Sequence, residues 1–346
     1  MFVDLGKFRD LLFLYEKLYV LYTDYVYVCC FLPPIYLLLN HSSHTIFVTS
    51  ATLNKQHNMA ASDVAETIAV MLMKEKTTYK CSSYLPQSQL FQAGYIDEDC
   101  RIKMVDWCFQ VVDFCNFNRE VVGIGMSYLD RYLCTPQGQS ALENRKLFQL
   151  AAMCSLYMAA KLFETREMDL TLLSQLSRGV YSETEIAEME KDILNALKWM
   201  VHPPTSVSFI HECFRALPSL PLHPETFAGI VELSRAHTEL AVRDYAFVTL
   251  KPSSIAVASV VNTLGMLDCI PSTVRETITS HISQVTEIDL NSPEILEALS
   301  MLRNSWEKSR RTDMVSIVQT SYVSSEYCTE KTRGGSSSPV CVSRYS

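Results

Sequence analysis

"LFQLAAMCSLYMAAKLFE", residues 147–164, is apolar almost all round until it reaches Lys161 and Glu164. A helix that is apolar on every side is packed on every side, so this stretch marks the centre of a helical body. Helical periodicity continues in both directions. Before it, "CRIKMVDWCFQVVDFC" (100–115) sets Val105, Cys108, Phe109 and Val112 at i, i+3, i+4 and i+7, with Met104 and Trp107 on a neighbouring face. "NREVVGIGMSYLDRYL" (118–133) carries the stripe Val122, Met126, Leu129 and Leu133, and Asn118 is placed to cap it. After it, Asp169 opens a short helix, and Ser182 with Glu185 forms a capping box for "ETEIAEMEKDILNALKW". His202-Pro203-Pro204 is expected to end that helix, since proline cannot continue it. A second helical set follows, from "SVSFIHECFRAL" to "SPEILEALSMLRNSWEKS". Strand-like alternation is scarce, so the expected fold is all-α, with two tandem five-helix lobes.

The expected organisation is an apolar extension at 1–58, an N-terminal helical segment at 59–99, lobes at 100–202 and 203–310, and a Ser/Thr-rich disordered tail at 311–346. The stretch 18–39 is long enough to cross a bilayer, but it contains Asp24 and Pro33-Pro34 and is rich in Tyr. A membrane anchor is therefore not expected, and Met59 reads as a natural start.

With 48% apolar and 20% charged residues among 346, core material is ample. The net charge of −8 argues against a nucleic-acid footprint and weakly favours a basic protein partner. The 12 cysteines form no CxxC and no Cys/His cluster at zinc spacing. Cys108, Cys115 and Cys154 sit within apolar helical patterns as small hydrophobes, which suggests a reducing compartment, no disulfide framework and no metal. No GxxxxGK[ST], GxSxG or HExxH motif occurs, and the Gly-Ile-Gly at 123–125 lies inside a helix. Neither a cofactor nor an activity as an enzyme is expected.

Residues 100–200 resemble the first box of the cyclin family, and 203–309 the weaker second box. The five signature positions of that family fall on Arg101, Asp130, Leu150, Lys161 and Glu190. "KLFET" and "HPPTSVSFI" are most similar to D-type cyclins. The resemblance implies a regulatory subunit, in the nucleus and cytoplasm, that binds and activates a cyclin-dependent protein kinase. A transcription-associated cyclin and a non-activating scaffold are the alternatives. A relation to transcription factor IIB would call for a basic second lobe and a zinc ribbon, and both are missing.

By composition alone, Lys161 is a cation at a helix C-terminus, favoured there by the dipole. The resemblance makes it a contact to kinase backbone carbonyls, with Glu190 accepting from backbone amides and Leu162 and Glu164 beside them. It makes Arg101 and Asp130 a structural ion pair. It also implies a docking patch for Arg-x-Leu substrate peptides, carried here by Cys100, Lys103, Met104, Trp107, Gln110 and Gln149. Lys103 replaces an apolar residue and Gln110 stands where a carboxylate would attract arginine, so weak or altered docking is expected.

Overall fold

The central helix is built as its composition requires. In the computed structural model, α5 (Arg145–Phe163) is buried from Leu150 through Ala160 without a break. Asn144 starts it, its side chain accepting from the Lys146 and Leu147 amides. The structure describes residues 50–85 and 95–309, with side chains from residue 63 onward. Residues 1–54 form one unit and 55–346 another; of the first, only the helical turn at 50–54 is described.

Ahead of α5 come α1 (Ser50–Lys76), α2 (Glu98–Cys115), α3 (Glu120–Leu133), a 3-10 turn (Pro136–Gly138) and the short α4 (Gln139–Glu143). Behind it lie α6 (Leu170–Leu176), α7 (Glu183–Ala196), α8 (Ser206–Arg215), α9 (Pro224–Arg243), a 3-10 turn (Tyr245–Phe247), α10 (Pro252–Met266), α11 (Ser272–Thr286) and α12 (293–309). No strand occurs among the described residues. The fold is all-α.

One apolar cluster gathers buried residues between Ile96 and Val201 around α5. A second joins α8, α9, α10 and α11, and a third ties Ala241, Phe247, Ile255 and Ala258 to Ala298 and Leu302. Val64 and Ile68 of α1 pack into the second cluster. The stripe expected in α3, Val122, Met126, Leu129 and Leu133, is wholly buried.

Helix α3 packs most extensively on α5, and Gly125 allows the close approach. A Cβ at Gly125 would stand 3.1 Å from Leu156 Cα and 3.2 Å from the Ser155 carbonyl oxygen, both backbone atoms that cannot rotate away. Gly125→Ala is expected to cost about 1–3 kcal/mol by overpacking, read as a lowered Tm in a thermal melt.

Helix α1 is fastened by a buried carboxylate. Glu75, 3% exposed, accepts from the Ser253 amide at 3.0 Å and the Ser253 hydroxyl at 2.6 Å, which places it at the N-terminus of α10. Burial raises its pKa, while the bonds from Ser253 work the other way. Glu75→Ala leaves a buried amide unpaired, an expected loss of about 1–3 kcal/mol. Glu75→Gln keeps an acceptor and should lose less, so chemical denaturation of the two variants checks the assignment.

Two local expectations are corrected. Helix α7 ends at Ala196, well before Pro203-Pro204. Lys198 and Trp199 adopt left-handed φ values of 51° and 61°, and the Trp199 amide turns back to the Leu194 carbonyl. This tight stop lets Leu197 and Val201 return to the core. At α3, Asn118 Oδ1 does accept from the Glu120 amide, but the helix begins after Arg119. Helix α1 (Ser50–Lys76) includes residues 58 and 59. The apolar stretch 18–39 and the tail from 311 lie outside the described residues; none of the described helices is long and apolar enough to cross a membrane.

Candidate partner-binding site

Two charged pairs stand out, and their surroundings separate their roles. Arg101 on α2 meets Asp130 on α3 in a two-pronged contact, Nε to Oδ1 at 3.0 Å and Nη2 to Oδ2 at 2.8 Å. Their side chains are 3% and 9% exposed. The remaining guanidinium nitrogen donates to the Val242 and Arg243 carbonyls at the C-terminal end of α9. Tyr84 completes the group by donating its hydroxyl to Asp130 Oδ1 at 2.7 Å, while Tyr245 Oη accepts from the Tyr84 and Leu85 amides. Burial disfavours the Arg101 charge, but Asp130 more than offsets it, so the arginine pKa is raised. Burial, reinforced by the Asp130 charge, pushes Tyr84 well above its ordinary value. These groups act as a scaffold joining α2, α3, the 77–85 linker and the end of α9.

Lys161 and Glu190 form the other pair, Nζ to Oε1 at 3.0 Å, with side chains 51% and 18% exposed. Lys161 lies in the last turn of α5, its ammonium 5.5 Å from the Tyr157 ring. The hydrogen bond to Glu190 raises its pKa. Glu190 sits on α7 beside the buried face made by Ile186, Met189 and Ile193. The Ser182–Glu185 capping box sets where α7 begins, and packing of that face on α5 brings Glu190 to Lys161. As an exposed salt bridge the pair contributes little to stability, about 0–1 kcal/mol.

Large apolar side chains are exposed at the end of α5, next to Lys161 in sequence, and in the stretch after α7. Leu162, Phe163, Trp199 and Met200 are 46%, 41%, 68% and 45% exposed, four of the nine exposed large apolar residues among those described. Phe163 reaches the segment after α7 through a ring contact with His202, centroids 5.3 Å apart. Exposed apolar side chains at the end of α5 and after α7, together with an exposed cation and its carboxylate, have the composition of a protein-binding site.

Residues 66–202 match the family described as cyclin, N-terminal domain. Over these residues the chain is similar to the cyclins. Its relatives include cyclin-D3-3 of Arabidopsis thaliana, 31% identical over 49% of this chain and 46% of that one. Cyclin-A1-4 of Oryza sativa is 27% identical over 48% and 44%, and G1/S-specific cyclin-E1 of Rattus norvegicus is 30% identical over 41% and 32%. The chain thus spans less than half the length of each of these relatives. Among solved structures, a viral cyclin from herpesvirus saimiri matches with a TM-score of 0.50 and 18% identity, over 71% of this chain and 97% of that one. That likeness concerns the fold.

The other residues singled out in the sequence fall differently. Leu150 is core, 5% exposed. Glu164 does not face outward as a free carboxylate: its Oε1 accepts from the Asn118 amide at 2.7 Å and ties the end of α5 to the start of α3. The expected docking patch is not displayed as an apolar surface. Cys100 and Met104 are buried in the α5-centred cluster, at 3% and 7%, with Trp107 half-buried against it. Only Lys103 is exposed; Gln110 is half-buried, and Gln149 accepts from the Tyr181 hydroxyl at 3.2 Å. The reason is that α2 turns its Cys100–Met104 edge inward along with Arg101 and Val105. Among the described residues no group of three His, Cys, Asp or Glu could hold a metal.

Trp199, Met200 and Phe163 are not among the site residues expected from the sequence. A tryptophan three residues before the His-Pro-Pro stretch, just past the end of an amphipathic helix, is the available signal. Tyr84 and Tyr245 gave none, since both lie outside periodic segments.

Proposed function

We propose that this chain is a cyclin, a regulatory subunit that binds and activates a cyclin-dependent protein kinase in cell-cycle control, in the nucleus and cytoplasm. The observation that carries this reading is the exposed Lys161–Glu190 pair, with Leu162, Phe163, Trp199 and Met200 exposed at the end of α5 and after α7. On binding, Lys161 would exchange Glu190 for backbone carbonyls at the kinase's C-helix, and Glu190 would accept from backbone amides there. Apolar contact from Leu162 and Trp199 would supply most of the affinity.

Activation then follows from selective binding. A kinase is competent when its C-helix glutamate meets the active-site lysine. A rigid surface that fits only this inward state shifts the equilibrium by its differential affinity for the two states. The Arg101–Asp130 group supports that rigidity from inside, and Arg-x-Leu substrate peptides would dock weakly because Cys100 and Met104 are buried. The test is affinity purification of the full chain, identification of the co-purifying kinase, and assay of that kinase with and without the chain. A kinase bound and stimulated is the expected result. Binding without stimulation would make this chain a non-activating scaffold, and absence of any kinase would overturn the reading.

A further inference from the structure

The 77–85 linker brings a second chemistry-bearing pair together. Cys81 lies on this linker and Cys134 directly follows the last turn of α3, 53 positions apart in sequence, yet their Sγ atoms stand 3.6 Å apart. Both are half-buried and unbridged. Ser82 completes the site: its hydroxyl is placed to donate to Cys134 Sγ at 3.6 Å, and its carbonyl lies 3.3 Å from the same sulfur. We infer that Cys81 and Cys134 are a redox-active dithiol that a peroxide closes to a reversible disulfide, clamping the linker to the end of α3.

The two thiols are differentiated. Hydrogen bonding from Cys81, with further help from Ser82, lowers Cys134 to about 6, against burial and the charge of Asp130. Cys81 is raised by the same bond and by burial. The direction of these shifts favours Cys134 as the sulfur that ionises first and Cys81 as the thiol that meets it. Thiolate character with partial access selects which cysteine meets an oxidant. The other cysteines described within helices lack this arrangement: burial pushes Cys108 and Cys213 up to about 12 and raises Cys100, Cys115 and Cys154 as well.

The chemistry balances with hydrogen peroxide as the two-electron oxidant. The Cys134 thiolate attacks one peroxide oxygen, the O–O bond breaks, and with one proton taken up the products are the sulfenic acid and water. Cys81 sulfur then attacks Cys134 sulfur; the S–O bond breaks, hydroxide leaves with the Cys81 proton as a second water, and the S–S bond forms. A disulfide requires the sulfurs to close from 3.6 Å to about 2.05 Å. Residues 80–84 form no helix or strand and can supply this movement.

The clamp would act on a segment that also fastens other parts of the fold. From the same linker, the Tyr79 ring lies 4.7 Å from the Arg131 guanidinium, Tyr79 Oη accepts from the His202 amide, and Tyr84 donates to Asp130. Oxidation would hold the linker against α3 and limit opening of this group.

The experiment uses the full chain and hydrogen peroxide, followed by alkylation and peptide mass spectrometry without reduction. The expected product is a Cys81–Cys134 linked peptide that dithiothreitol reverses. Cys81→Ser should trap a dimedone adduct on Cys134, while Cys134→Ser should consume peroxide at least about tenfold more slowly. The oxidised protein should also melt several degrees above the identically treated Cys81→Ser protein, since a crosslink across a long loop restricts the unfolded chain. The inference is overturned if other cysteines link in preference, if peroxide consumption is unchanged in Cys134→Ser, or if the melts coincide. None of these readouts depends on a kinase.

Discussion

Asp130→Ala is expected to lower the unfolding free energy by about 3–5 kcal/mol, the usual consequence of removing one partner from a buried ion pair. The substitution leaves the Arg101 guanidinium charged, 3% exposed and without its two carboxylate contacts. It also removes the acceptor of the Tyr84 hydroxyl, so the linker loses a fastening at the same time. In a domain of this size each kcal/mol shifts Tm by roughly 2–4 °C, so a drop near 10 °C should appear in a melt of the chain alone. Replacing both members, Arg101→Met with Asp130→Leu, removes the stranded charge and should recover part of the loss. Recovery should be incomplete, because Arg101 also donates to the Val242 and Arg243 carbonyls, which would then lose that donor. An Asp130→Ala protein that melts at the wild-type temperature would show that the network does not hold the fold.

Lys161→Ala combined with Glu190→Ala should do the opposite, leaving stability nearly unchanged and weakening kinase association. Lys161 is half exposed, so loss of the pair in the free protein costs at most about 1 kcal/mol. In a complex both charges would be desolvated and hydrogen-bonded, and truncating such groups typically costs about 2–5 kcal/mol, or roughly 30-fold to several thousandfold in Kd. Trp199→Ala, 68% exposed in the free chain, should weaken binding by about 2 kcal/mol or more if it is a buried anchor in the complex. Titration of the identified kinase by calorimetry separates the outcomes. Wild-type affinity in the double variant would sink the proposed contact surface even if the kinase partner is right.

Glu164 and Cys100 show why a motif is an incomplete guide to a surface. Both were placed in functional sets by their position in the family pattern, yet Glu164 accepts an amide of the chain itself and Cys100 is buried. Sequence position states which turn of a helix a side chain leaves from. Whether it then meets solvent depends on the neighbour packed there, and that neighbour comes from another part of the chain.

The all-α class was determined by sequence alone, because helix periodicity, capping and propensity act within a few residues. The unbroken apolar run of α5, the Asp169 cap and the Ser182–Glu185 capping box could all be read locally, and the structure forms each of them. Tertiary structure decided what depends on contacts distant in sequence. The left-handed stop at Lys198 and Trp199 is favoured because it returns Leu197 and Val201 to the core, an energy term invisible in the helix itself. Tyr84 and Tyr245 meet across 161 positions, and Cys81 and Cys134 across 53. No local pattern encodes those encounters; they follow from burying the apolar faces of α2, α3 and α9 together, which fixes where the polar groups at their ends must find partners.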